Sequence, residues 1–202
     1  MWTIADSRRL AEEHISGMGR RWDHLSRVGR TAEELAERSP LVTEALVCAA
    51  WLHDVGYAPG IVVSGLHPLD GATFLSQLGL PREIVNLVAF HTGALYEAEE
   101  RGLADQLAAF TQPVADDLDL LTMIDLSTAP DGSPMLDTDR ITEILSRYED
   151  GHPVNRAIRR SEPALRASSA RGKHALGLAN GWPVRSAKCV DDVDGLAAAP
   201  CG

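Results

Sequence analysis

Residues 41–55 read LVTEALVCAAWLHDV and are apolar on nearly every side of a helical wheel. A helix without a polar face has nothing to offer water, so this one belongs at the centre of a domain. It nevertheless ends in His53 and Asp54, two strong metal-ligand side chains back to back, with Gly56 placed to form a left-handed cap. A buried carboxylate requires pairing or a metal, so the rest of the chain must supply the partner.

The flanking segments carry a helical period. Residues 5–16 and 21–38 are amphipathic, the second with Leu25, Val28, Ala32 and Leu35 on one face and Pro40 beyond its end. Residues 68–78 and 82–91 each open near a proline. Residues 93–110 hold one or two helices. Residues 115–127 begin with acids that suit the helix dipole, and 137–149 and about 154–172 complete the set. Residues 57–66 are a loop in which Ile61-Val62-Val63 forms at most a brief extended piece. No alternating strand pattern and no internal repeat competes, so the expected fold is all-α, a compact helical bundle.

With 202 residues, 45% of them hydrophobic, the chain can bury one real core. The expected division is a domain over 1–172 and a poorly ordered tail over 173–202. A net charge of −10 and a pI near 5.1 argue against general nucleic-acid or acidic-membrane binding. They leave room for a small anionic substrate, because a metal ion reverses the sign of a local site. No stretch approaches membrane-spanning length and the first residues carry no apolar signal core. Cys48 reads as a core residue, and Cys189 and Cys201 match no zinc spacing. A reduced, cytoplasmic protein is the simplest expectation. Residues 1–150 hold 11 arginines against 25 acids, whereas 151–190 hold eight cations against the single acid Glu162. The basic segment 156–173 is read as a helix lying on the acidic body, with a partner-binding arm as the other possibility.

Helical spacing turns several polar residues inward. His24 shares a face with Val28 and Leu35, His91 with Ile84, Leu87 and Val88, and Asp125 with Leu118, Leu121 and Thr122. His67 precedes Pro68, at the expected N-cap of its helix, where Ser, Thr, Asp or Asn would cap better. One inward histidine is ordinarily a hydrogen-bonded core residue. Four elements each sending a His or Asp inward have a single shared explanation in a metal ion, for which imidazole and carboxylate are suitable ligands.

These residues resemble the H…HD…D signature of the HD-domain superfamily of metal-dependent phosphohydrolases. HLSRVGRTAEELA, AAWLHDVGY, HPLDGATFL, FHTGA and MIDLSTAPDG occur in the expected order over about residues 20–150. The extra histidines His67 and His91 are similar to those of a subgroup that can hold two metals and includes dinucleoside tetraphosphate hydrolases. The resemblance implies that His24, His53, Asp54 and Asp125 bind a first metal and that His67 and His91 bind a second, with Asp54 bridging. The ion would be iron, manganese, zinc, cobalt or magnesium. His53 and Asp54 would then be catalytic. Arg27, one turn from His24, would hold a substrate phosphate, or else pair with a surface acid, and Thr92 would add phosphate contacts. Many HD enzymes carry a lysine soon after the HD pair, where this chain has Gly56-Tyr57-Ala58. The GYP signature of the cyclic-di-GMP phosphodiesterases is also missing, which argues against a cyclic dinucleotide.

The implied reaction is attack of a metal-activated hydroxide on phosphorus, in a nucleotide or another small phosphate ester or anhydride. Two alternatives stand beside it. One is a mixed-valent di-iron oxygenase, because some proteins with HD-type folds oxidise substrates. The other is a non-catalytic nucleotide sensor pinned by its metal.

Overall fold

The computed structural model describes residues 2–184. They form α1 (Ile4–Ile15), α2 (Arg20–Ala36), α3 (Glu44–Leu52), α4 (His67–Gln77), α5 (Arg82–Phe90), α6 (Ala94–Arg101), α7 (Ala104–Leu107), α8 (Ala115–Leu126), α9 (Asp137–Arg147) and α10 (Pro153–Ala175). Among the described residues there is no β-strand, only an isolated bridge between Thr128 and Pro134. No described helix is long and apolar enough to cross a membrane.

Helix α3 is the middle of the bundle. Leu46 through Leu52 are buried without a break, because α1, α2, α5 and α8 pack around them. Each large side chain there, such as Leu46 or Leu52, stabilises the fold by about 1.5–3 kcal/mol. The Thr43 hydroxyl caps the start, accepting from the Leu46 N–H at 3.2 Å. α2 approaches closely because Gly29 faces Trp51: a Cβ there would stand 2.3 Å from the indole. The Trp51 indole N–H is satisfied by Glu33 at 2.8 Å.

The end of α3 departs from expectation. The helix stops at Leu52 instead of running to Val55. Asp54 sits at φ −97°, ψ 4°, in a sparsely populated backbone region, and Val55–Tyr57 form a tight 3₁₀ turn. Gly56 is not a left-handed cap. It is required by proximity, since a Cβ would meet the His67 carbonyl at 2.0 Å and the Gly71 nitrogen at 2.6 Å. α4 is thereby pressed onto the turn that carries Asp54. Ile61-Val62-Val63 form no strand, Ile61 lying in a turn and Val63 in a bend. That loop is tied instead by Asp70, whose carboxylate accepts the N–H groups of Val63, Ser64 and Gly65.

α10 packs on α8, α6 and α9. Its basic residues lie on acids of the body, as the charge pattern anticipates: Arg156 on Glu100 at 2.7 Å and Arg160 on Glu99 at 2.7 Å. The boundary expected at 172/173 falls inside this helix. Lys173 is buried and paired with Asp137 at 2.9 Å, and Leu176, Leu178 and Trp182 pack against the main core. Residues 185–202 of the expected tail, with Cys189 and Cys201, lie outside the described residues. A small second core of Leu126, Ile141, Ile144, Ile158 and Leu165 joins α8, α9 and α10. A cleft of about 240 Å³ opens beside it, bordered by the start of α2, the α3–α4 turn, α9 and α10.

Candidate metal centre

Six side chains from five parts of the chain converge at the floor of this cleft, five of them lining it and His53 buried beside His24 and Asp125. His24 comes from α2, His53 and Asp54 from the turn after α3, His67 from the start of α4, His91 from the end of α5, and Asp125 from the last turn of α8. His67 is the first residue of α4, Leu66 being the N-cap, so its ring projects from the helix start without capping it.

The ligand atoms fall into two groups of three, His24 with His53 and Asp125, and Asp54 with His67 and His91, each within 4.8 Å of one another. Asp54 stands between them, its Oδ1 lying 3.3 Å from His67 Nε2 and 3.7 Å from His53 Nε2. His24 Nε2 meets Asp125 Oδ1 at 3.0 Å. The family resemblance implied these same six residues, with Asp54 belonging to both groups.

Backbone carbonyls orient three of the imidazoles. The Nδ1 positions of His24, His53 and His91 face the carbonyls of Ala129, Ala50 and Val88 at 3.3, 2.9 and 2.7 Å. With Nδ1 donating, each Nε2 turns a lone pair toward the neighbouring ligand atoms, the arrangement that metal-ligating histidines adopt. His53 is only 1% exposed and its Nε2 has no hydrogen-bond partner. An unsatisfied buried acceptor costs about 1–3 kcal/mol, and a cation between the rings and carboxylates removes that cost. His91 and His67 face each other Nε2 to Nε2 at 3.1 Å, which likewise requires a proton or a cation between them.

The charge states suit an ion. Burial, reinforced by His67 and His53, pushes His91 down to about 3. Burial also lowers His53, against the pull of Asp54 and Asp125. Burial by itself would raise Asp54, but His53, His67 and Arg21 outweigh it and hold the carboxyl well below its usual range. Asp125 is lowered in the same way: burial raises it, while His24, His53 and Arg140 more than compensate. At neutral pH the floor therefore offers two carboxylates with neutral His53 and His91. Such an oxygen and nitrogen donor set fits a divalent transition ion.

Around the six lies a second layer that only partly follows from sequence. Thr92 Oγ1 donates to Asp125 Oδ2, so its hydroxyl is engaged by the carboxylate instead of standing free for a phosphate. Thr92 holds φ 42°, an unfavourable conformation for a β-branched residue and a local strain of about 1–3 kcal/mol. Arg21 Nη1 binds Asp54 Oδ2 at 2.9 Å. Its guanidinium lies 3.3 Å from the centre of the Tyr57 ring, and Tyr57 stacks on His67 at 3.9 Å. Arg21, Tyr57, Arg140, Arg147 and Tyr148 all line the cleft, and none was singled out from sequence. Arg21 had a legible signal, since it sits one turn before His24 as Arg27 sits one turn after. Helical side chains lean toward the N-terminus, and the centre lies over that end of α2. Arg27 instead borders a separate cavity with Thr31 and Glu34, its Nη1 3.5 Å from Glu34 Oε1. That is the surface pairing considered for it, and it does not line the cleft.

A sequence profile of the HD domain matches residues 21–199, which includes all six converging residues. No curated protein and no solved structure gives a significant match.

Proposed function

The chain belongs to the HD-domain family of metal-dependent phosphohydrolases, and from that premise we propose that it hydrolyses a nucleotide or another small phosphate ester or anhydride in this cleft. The observation that carries the reading is the buried, unpartnered His53 Nε2 among two carboxylates and three further imidazoles. His24, His53 and Asp125 would hold one divalent ion, and Asp54, His67 and His91 a second, with Asp54 within reach of both. A divalent ion there supplies a water that ionises near neutral pH and a countercharge for phosphate oxygens. The extra histidines favour the two-ion subgroup that includes dinucleoside tetraphosphate hydrolases.

The protein's own contribution is orientation. The carbonyls of Ala50, Val88 and Ala129 hold three rings in the ligating tautomer. Thr92 donates to one oxygen of Asp125, and the other faces His24 Nε2, so that ring and carboxylate present their lone pairs to the same point. Arg21 secures Asp54, and Tyr57 secures His67 from behind. Arg21 also supplies positive charge in the neighbourhood where many relatives carry a lysine. Farther out, Ile144, Tyr148 and Ile158 offer apolar surface to the organic part of a substrate, which favours an organic phosphate over inorganic pyrophosphate. The unit proposed to do this is the bundle through α10.

The test is elemental analysis of the purified protein, followed by assay of the ion-loaded form against nucleoside mono-, di- and triphosphates, dinucleoside tetraphosphates and simple phosphate esters. The expected result is at least one equivalent of ion and phosphate release that a chelator abolishes. Oxygen consumption by a protein holding two irons, or tight nucleotide binding without turnover under any ion, would overturn the proposal.

A further inference from the structure

One face of α9 carries Arg140, Glu143, Ile144 and Arg147, spaced so that all four reach the cleft. Glu143 is shared. One of its oxygens engages Arg140 Nη1, and the other lies 3.0 Å from Arg147 Nε. Two guanidinium groups thus have one carboxylate between them. Arg140 is the unusual member, because it is only 8% exposed. Glu143 takes Nη1 alone, and Arg140 Nε is buried with no partner among the described residues.

A buried arginine normally has its donors satisfied, because an unpaired donor on a charged group costs more than a neutral one. The edge of the guanidinium away from Nη1 is a planar fork that matches two oxygens of a phosphate. No carbonyl or carboxylate of the described chain fills it. Its position also matters, since Arg140 lines the same cleft as His24, Asp54 and Asp125.

We propose that Arg140 is a substrate-binding residue that takes a phosphoryl group on the part of its guanidinium that lines the cleft, between the six-residue floor and α9, while Glu143 holds the guanidinium in place. This rests on the phosphohydrolase reading and assigns that site an anion-binding wall. Glu143 fixes the plane of the fork from one side, and Arg147 offsets the charge of Glu143. The phosphate supplies the acceptor that the folded chain lacks.

Inorganic phosphate is the probe, titrated into the ion-loaded protein and measured again as an inhibitor of ester hydrolysis. Arg140→Lys keeps a cation for Glu143 but loses the fork, and Arg140→Met loses both. The expected result is phosphate binding weakened about ten- to a hundredfold in Arg140→Lys, the range of a charged hydrogen bond. KM should rise by a similar factor, with helix content and ion load unchanged. Should Arg140→Met fail to fold, the lysine variant still decides the question. Wild-type phosphate affinity in Arg140→Lys, with hydrolysis intact, overturns this assignment and leaves the phosphohydrolase reading standing. Loss of ion from that variant also overturns it, because Arg140 would then be supporting Asp125. A wild-type protein that neither binds phosphate nor hydrolyses any ester overturns both.

Discussion

Asp119 and Asp125 are both buried on α8, six residues and about 120° of helix apart, yet their surroundings differ in kind. Asp119 faces α10 and is fully engaged: Arg171 grips it with Nε and Nη2 at 2.6 and 2.7 Å, and Ser168 donates at 2.5 Å. Asp125 faces α2 and the turn after α3. It touches His24 and Thr92, and 3.9 Å away stands a histidine nitrogen with no partner. Burial of a carboxylate is common to both positions. What separates them is completeness, since the Asp119 cluster closes on itself and the Asp125 cluster leaves the buried His53 Nε2 with no hydrogen-bond partner. An incomplete buried network is costly, and the chain keeps this one where a cleft gives access.

The contrast breaks most visibly under substitution of the two acids. Asp125→Ala is expected to remove hydrolysis and ion binding by well over the 10–100-fold that losing an outer partner costs, with helix content retained. Asp119→Asn should do the reverse. It should lower stability by about 1–3 kcal/mol, at the small end because Arg171 is well exposed and can hydrate, and it should leave ion load and turnover unchanged. Elemental analysis and a denaturant titration on both proteins read the two axes. Ion loss from Asp119→Asn, or full ion load in Asp125→Ala, would dissolve the distinction.

A smaller effect sharpens it. Thr92→Val preserves shape and removes the hydroxyl that holds Asp125 Oδ2. Ion affinity should fall about 10–100-fold without loss of the fold. Thr92→Ser should restore it, because the serine keeps the donor. A strained Thr92 that mattered only for chain reversal would give no ranking, with both variants binding the ion as the parent does.

Much of this was legible because it depends on periodicity. The apolar run of α3, the stripes through His24, His91 and Asp125, and the prolines near the starts of α4 and α5 follow from helical spacing, and the structure keeps them. The departures occur where spacing carries no information. Gly56 was read as a cap because a glycine after a helix usually is one, but its reason is the α4 backbone packed on top of it. Arg27 and Arg21 are equivalent on a helical wheel and differ only in which end of α2 the centre adjoins. Arg140, Arg147 and Tyr148 reach the cleft because α9 packs beside α8 and α10, a tertiary fact with no local signature. The boundary placed at 172 followed the expected end of the last helix, whereas α10 continues to Ala175 and carries Lys173 to Asp137.

That last pair supports the smallest prediction, on the closed side of the comparison. Burial would raise the Asp137 carboxyl, but Ser169 and Lys173 outweigh it and leave the pKa below its ordinary value. A carboxyl whose folded pKa lies below the unfolded one, about 3.9, stabilises the protein fully above the unfolded value. It loses that contribution as pH falls through the folded value. Thermal unfolding of the parent chain should therefore be insensitive to this group from neutrality down to about pH 5, and should decline below that as the Lys173 contact at 2.9 Å and the Ser169 contact at 2.6 Å are protonated away. Asp137→Asn should start lower at neutral pH, because Lys173 is left buried without its counter-ion, and its acid decline should be shallower by the share Asp137 supplied. Ion load should not change at either pH extreme of the plateau, since Asp137 stands apart from the six converging residues. An acid limb identical in parent and variant would mean that the pair forms no part of the acid response, and that the end of α10 is held by the packing of Leu176, Leu178 and Trp182 alone.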